Sequence, residues 1–242
     1  MPNSAVRAEA SARDAIAAAR AGTGLRVGGL TRLTTIDFPG RLAAVVFCQG
    51  CPWRCSYCHN PELLDANAPT PWDWAQVLAF LHTRRGLLDG VVFSGGEPTL
   101  QTALPEALQA VRALGFATAL HTGGMYPERL AAVLPQLDWV GLDIKAPLHC
   151  HDVLTSTPGS GARARESLRL LLASNTGLEC RTTWHSGLFT ENQLLALADE
   201  LMECGVQHWV LQAHRSPLGE SAEISLPLQR TLSGKFQSFR LR

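Results

Sequence analysis

The residues best suited to chemistry crowd into one short stretch. Between Cys48 and Asn60 the chain reads CQGCPWRCSYCHN, with Cys48, Cys51, Cys55 and Cys58 spaced C-x2-C-x3-C-x2-C. Structural zinc usually takes two C-x2-C pairs set about a dozen or more residues apart, or adds histidines. Four cysteines this close fold poorly around one tetrahedral ion. A thioredoxin-like C-x2-C opens a helix and stands alone. Iron–sulfur clusters are instead held by compact runs of thiolates. A [4Fe–4S] cube held by four cysteines is saturated and only passes electrons. One held by three keeps an iron with open coordination, by the logic that separates catalytic from structural zinc.

The wider composition fits a globular chain in a reducing compartment. Of 242 residues, 46% are hydrophobic and 17% charged, and the formal net charge is zero. No basic footprint for nucleic acid is visible. No apolar run approaches the roughly 20 residues that a membrane span needs. The first residues lack the apolar core of a secretion signal. The seven cysteines are odd in number and four are clustered, which favours metal or redox chemistry over disulfides. The expected location is the cytoplasm. Residues 1–24 read as a flexible extension and 25–242 as a single domain.

Short apolar runs alternate with helical segments. Strands are expected at Leu42–Phe47, Gly90–Ser94, Ala117–His121, Trp139–Lys145, Leu178–Trp184 and His208–Gln212. Helices are expected at Asp73–Arg85, Pro105–Leu114, Glu128–Leu134, Arg163–Ser174 and Glu191–Cys204. Continuous apolar strands separated by helices imply a parallel sheet covered by helices, either doubly wound or an incomplete barrel. Functional groups in such folds gather where strands end. Here the strand ends read as the cysteine loop, SGGEP, HTGG, DIK, RTTWH and LQAH. Lys145, in DIK, is one of only two lysines in the chain.

Cys51, Cys55 and Cys58, with Tyr57 before the last, form C-x3-C-x-aromatic-C directly after the first expected strand. This resembles the radical S-adenosylmethionine (SAM) superfamily. The resemblance implies a partial (β/α)6 TIM-like barrel with parallel strands and outer helices. It implies that Cys51, Cys55 and Cys58 bind three irons of a [4Fe–4S] cluster, with the amino and carboxylate groups of SAM on the fourth. Gly95, Gly96 and Glu97 resemble the GGEP motif that meets the SAM amino group. Lys145 takes the place of a lysine that meets the SAM carboxylate. Thr122 falls in a motif usually written D-T-N-G, here departing at His121 and Gly123, and Arg181 in an R-T-T element of the SAM pocket. Tyr57 joins the cofactor-binding set. Cys48 reads as a bystander packed at the strand end.

Finer resemblance narrows the reading. TIDFPG at Thr35–Gly40, the strand that follows and the Cys58-His59-Asn60 run are similar to anaerobic ribonucleoside-triphosphate reductase activating proteins and other glycyl-radical activating enzymes. These imply reductive cleavage of SAM to methionine and a 5′-deoxyadenosyl radical. The partner would be an anaerobic ribonucleotide reductase or another glycyl-radical protein, and a flavodoxin or ferredoxin would supply the electron. The alternative within this chemistry is a small-molecule enzyme resembling 7-carboxy-7-deazaguanine synthase. A plain iron–sulfur electron carrier is the alternative from a different class.

Overall fold

The computed structural model describes residues 24–214 and 223–242. All but the last residue of the expected N-terminal extension lies outside the described residues. Eight strands stand in sequence order in one sheet: β1 (Val27–Thr34), β2 (Ala43–Cys48), β3 (Gly90–Gly95), β4 (Ala117–Thr122), β5 (Trp139–Asp143), β6 (Gly177–Trp184), β7 (His208–Ala213) and β8 (Ser238–Leu241). β1 pairs antiparallel with β2, while β2–β3–β4 and β6–β7–β8 pair in parallel. The helices are α1 (Trp74–His82), α2 (Leu104–Ala113), α3 (Pro127–Val133), α4 (Leu148–Leu154), α5 (Ser160–Leu172), α6 (Glu191–Glu203) and α7 (Leu226–Ser233). The architecture is a mostly parallel, open α/β sheet, as the strand pattern implies.

All six expected strands are present, and two more frame them. β1 escapes an apolar reading because it is an edge strand with two glycines, exposed charge and an irregular register. β8 is four half-exposed residues. The strand expected to reach Lys145 stops at Asp143. Beyond it, Ile144 N donates to Arg181 O at 2.9 Å and Ile144 O accepts from Thr182 Oγ1 at 2.8 Å. The unforeseen α4, LHCHDVL, buries only His151 and Leu154, too little for an apolar period to show.

The described chain falls into two compact units. The first runs to Pro52 and adds Asn60–Thr122 and Glu128–Val140. Its core packs Val45, Val92, Ala119, Ala43 and Phe38. α1 contributes Trp74, Val77, Leu78 and Leu81, and α2 Leu104, Ala107, Leu108 and Val111. These are the i, i+3, i+4, i+7 stripes expected of helices laid on a sheet. Each valine and leucine among them, fully buried, contributes about 1.5–3 kcal/mol. β2 and β3 are buried on both faces, which is why they read as unbroken apolar runs.

The second unit comprises Trp53–His59, Gly123–Pro127 and the chain from Gly141 onward. Trp184 and Trp209 anchor its core. Their indole N–H groups donate to Phe189 O at 2.8 Å and Thr182 Oγ1 at 3.1 Å. α6 opens with a capping box: Thr190 Oγ1 accepts from Gln193 N, and Gln193 Oε1 accepts from Thr190 N.

α4 and the start of α5 form a buried polar knot. His151 Nδ1 lies 2.8 Å from Ser160 Oγ, and Ser160 Oγ lies 2.7 Å from Thr155 Oγ1. Asp152 accepts from the amides of Gly159 and Gly161 at 2.6 and 3.0 Å, which holds its carboxyl below the usual range. His151 Nε2 is buried without a hydrogen-bond partner. Burial first, and the charge of Lys145 second, lower the His151 pKa to about 4, against a smaller opposing pull from Asp152.

The unfolded chain therefore takes up this proton first as the pH falls. His151 supports the fold fully above pH 6.5, and that support drains away as the pH drops to about 4. The whole effect is about 3 kcal/mol. Chemical denaturation across this window is expected to show stability falling with acid. A His151→Gln variant should show a flatter dependence; an unchanged slope would contradict the assignment.

Candidate functional site

In the first unit, the end of β3 is stitched onto the end of β2 and the start of the cysteine loop. Gly96 N donates to Cys48 O at 2.9 Å and Glu97 N to Gly50 O at 2.8 Å. Gly50 N and Cys51 N donate in turn to Leu63 O and Leu64 O. This closeness demands glycine. Gly95 has φ +107, and a Cβ there would lie 2.5 Å from Cys48 N; one on Gly96 would lie 2.2 Å from Gly50 O. The result is a backbone cradle in which a Cβ on either glycine would meet neighbouring main chain.

Glu97 sits beneath this cradle, 3% exposed. Its Oε1 accepts from Thr99 N at 3.1 Å, from Thr99 Oγ1, and from Thr122 Oγ1 at 2.7 Å. Arg129 braces the same turn, donating to Thr99 O at 3.0 Å and Leu100 O at 2.6 Å. The sequence assigned Glu97 an acceptor's role; here one of its oxygens orients its own neighbours. His121 replaces the expected aspartate and ties two elements together. Its Nε2 lies 2.9 Å from Asp37 O, and its Nδ1 lies 3.2 Å from Ser94 Oγ. A carbonyl only accepts, so Nε2 carries the proton. The TIDFPG turn is thereby anchored to the strand end. Cys48 is fully buried and burial pushes its thiol far up, as befits a packed small side chain.

The second unit holds the rest of the cysteine loop. Arg54 N donates to Thr155 O at 2.9 Å and Ser56 N to Leu154 O at 3.3 Å, so α4's end receives the loop. Cys58 N donates to Cys55 O at 3.1 Å, closing a turn with Tyr57 inside it. The Lys145 ammonium stands 5.9 Å from the Tyr57 ring centroid. Asp143 lies between two cations: Oδ2 is 2.8 Å from Lys145 Nζ and Oδ1 is 2.8 Å from Arg181 Nε. Burial works against the charge on Lys145, but Asp143, then Tyr57 and Cys55, outweigh it and raise its pKa. Lys145 therefore keeps its proton.

The structure thus brings Cys51, Gly95, Gly96, Glu97 and Thr122 together within the first unit. It brings Cys55, Tyr57, Cys58, Lys145 and Arg181 together within the second. Asp143, His151 and His214 were not foreseen as site residues. His214 packs against Tyr57, His59 and His185, with ring centroids 6.2, 5.7 and 4.6 Å away. Among the described residues, no three His, Cys, Asp or Glu side chains are placed to hold a metal ion. A cluster distributes its thiolates over separate irons and has a wider demand. The residues fit such a group and a polar ligand. Cys51, Cys55 and Cys58 form no disulfide and are partly exposed, and the Tyr57 hydroxyl is buried without a partner.

Asp143→Asn would leave two cations with no carboxylate between them. The expected loss of stability is about 3 kcal/mol by chemical denaturation. A loss well below 1 kcal/mol would show that solvent already screens the pair.

The family described as the Radical SAM superfamily matches residues 45–201. A Methanocaldococcus jannaschii protein, MJ1227, provisionally named a glycyl-radical enzyme activating enzyme, is 28% identical over 187 residues, covering 74% of this chain and 76% of its own. A pyruvate formate-lyase-activating enzyme of Clostridium pasteurianum is 35% identical over 125 residues, so the chain spans about half that enzyme's length (50% of this chain and 52% of the relative). A 7-carboxy-7-deazaguanine synthase of Thermococcus kodakarensis is 29% identical over 126 residues, 44% of this chain and 50% of its own. Among solved structures, anSMEcpe with bound AdoMet superposes with a TM-score of 0.61 at 16% identity, over 79% of this chain and 61% of that one, a likeness of fold. Among the described residues no helix is long and apolar enough to cross a membrane. The chain belongs to the Radical SAM superfamily, whose chemistry joins a [4Fe–4S] cluster to S-adenosylmethionine.

Proposed function

We propose that the chain activates a glycyl-radical protein, with an anaerobic ribonucleoside-triphosphate reductase as its partner. The observation that carries this reading is the alignment with the M. jannaschii relative over about three-quarters of both chains. Cys51, Cys55 and Cys58 hold the cluster as thiolates. Gly95 and Gly96 offer bare main chain to the amino group of SAM, while Glu97 and Thr122 stiffen the turn that carries them. Lys145, kept charged by Asp143, meets the SAM carboxylate, and Arg181 and Tyr57 also bind SAM. When bound, the cluster and SAM supply one chemistry: an added electron breaks a carbon–sulfur bond, giving methionine and a 5′-deoxyadenosyl radical that takes the α-hydrogen of a partner glycine. The electron comes from a flavodoxin or ferredoxin, and the setting is the cytoplasm.

The deazaguanine synthase relative favours a second reading, a small-molecule substrate. Anaerobic reconstitution and reduction with SAM is expected to release 5′-deoxyadenosine, and replacing Cys51, Cys55 or Cys58 by Ala to abolish it. Lys145→Met should weaken SAM binding about tenfold or more, the cost of one charge-assisted hydrogen bond. With the co-encoded glycyl-radical protein added, electron spin resonance should show a glycyl doublet. Deoxyadenosine release with silence from every such protein would favour the small-molecule reading. No release at all would defeat both.

A further inference from the structure

We propose that Trp53 is a positioning residue for the cysteine loop: an indole wedge seated in the space that Gly123 leaves, which sets Cys55 and Cys58 for the cluster. The proposal rests on the assignment of those cysteines as ligands. Trp53 follows Cys51 and precedes Cys55 by two residues each, yet it is only 3% exposed. Its ring is clamped from several sides. Nε1 lies 2.9 Å from Met125 Sδ, and the ring meets His151 edge-on at 5.4 Å. His151 is itself fixed by Ser160.

Gly123 supplies the remaining room. A Cβ there would lie 2.1 Å from Trp53 Cζ3 and 2.4 Å from Cη2. Its neighbour Gly124 is left-handed, at φ +76, but Gly123 is not, so its own backbone does not call for glycine. What the missing side chain provides is space for the indole. A flat ring held on its other sides cannot retreat by the angstrom or more that a methyl would require. Displacing it would pull on Arg54 and Ser56, whose amides are docked on Thr155 and Leu154. The departure at Gly123 from the usual motif and the tryptophan in the loop are two halves of one contact.

The test compares the full chain with Gly123→Ala, Trp53→Leu and the double variant after anaerobic reconstitution with iron and sulfide. The readouts are the rate of cluster loss to a chelator and the resonance spectrum of the reduced cluster with and without SAM. Each single variant is expected to lose its cluster about tenfold faster, as outer-shell changes do. The double variant should recover part of what Gly123→Ala loses, because the methyl no longer meets a ring. Wild-type retention and spectrum in Gly123→Ala, or strictly additive effects, would overturn the wedge. If Gly123→Ala does not fold, Trp53→Phe carries the test. It keeps an aromatic edge on His151 and drops the N–H to sulfur contact, so faster loss with an altered SAM-dependent spectrum supports the wedge, and wild-type behaviour refutes it. A wild-type chain that takes up no cluster overturns the ligand assignment itself, and the wedge with it.

Discussion

Two backbone hydrogen bonds govern the candidate residues of the first unit: Gly96 to Cys48 and Glu97 to Gly50. They bring the ends of neighbouring parallel strands closer than any Cβ permits, so the chain must spend glycines there. Everything nearby follows from that approach. Glu97 is driven beneath the cradle, where burial requires partners for its carboxylate, and Thr99 and Thr122 supply them. Arg129 then satisfies the carbonyls that the turn leaves over. The turn is thereby tied to its neighbours through Glu97 Oε1 and the carbonyls of Thr99 and Leu100.

The candidate residues of the second unit are organised by charge rather than by backbone. One carboxylate, Asp143, serves two cations, and Arg181 is nearly buried with it. Burial works against the charge on a lysine here, and Asp143 outweighs it. Contacts within the fold alone fix this positive charge in place, which is the sense in which a charge is preorganised.

Much of this was legible in the residues. β2 and β3 are covered on both faces, so their apolar runs stand out, and the polar residues that follow them mark the site. The family resemblance set Cys48 apart from its neighbours as a packed side chain, and it is fully buried. Elements whose order comes from distant partners were hidden. β1 depends on β2 for its ladder, and α4 has too few buried positions to betray a period. Trp53 looked like any loop aromatic, and Gly123 like a missing asparagine, because only folding brings them together. Asp143 was visible as part of DIK, but its service to Arg181 joins residues 38 apart in sequence.

The seclusion of Cys48 also bears on how such a loop weathers oxygen. A cluster destroyed by air leaves thiols that readily join in wrong pairs. Cys48 is sealed within the sheet, its thiol held far from ionisation, and cannot take part. Within the loop, miscoupling is left to Cys51, Cys55 and Cys58, which are partly exposed and within reach of a reductant. The loop thus carries its sulfur in two compartments, one that meets the solvent and can be repaired, and one that never needs to be.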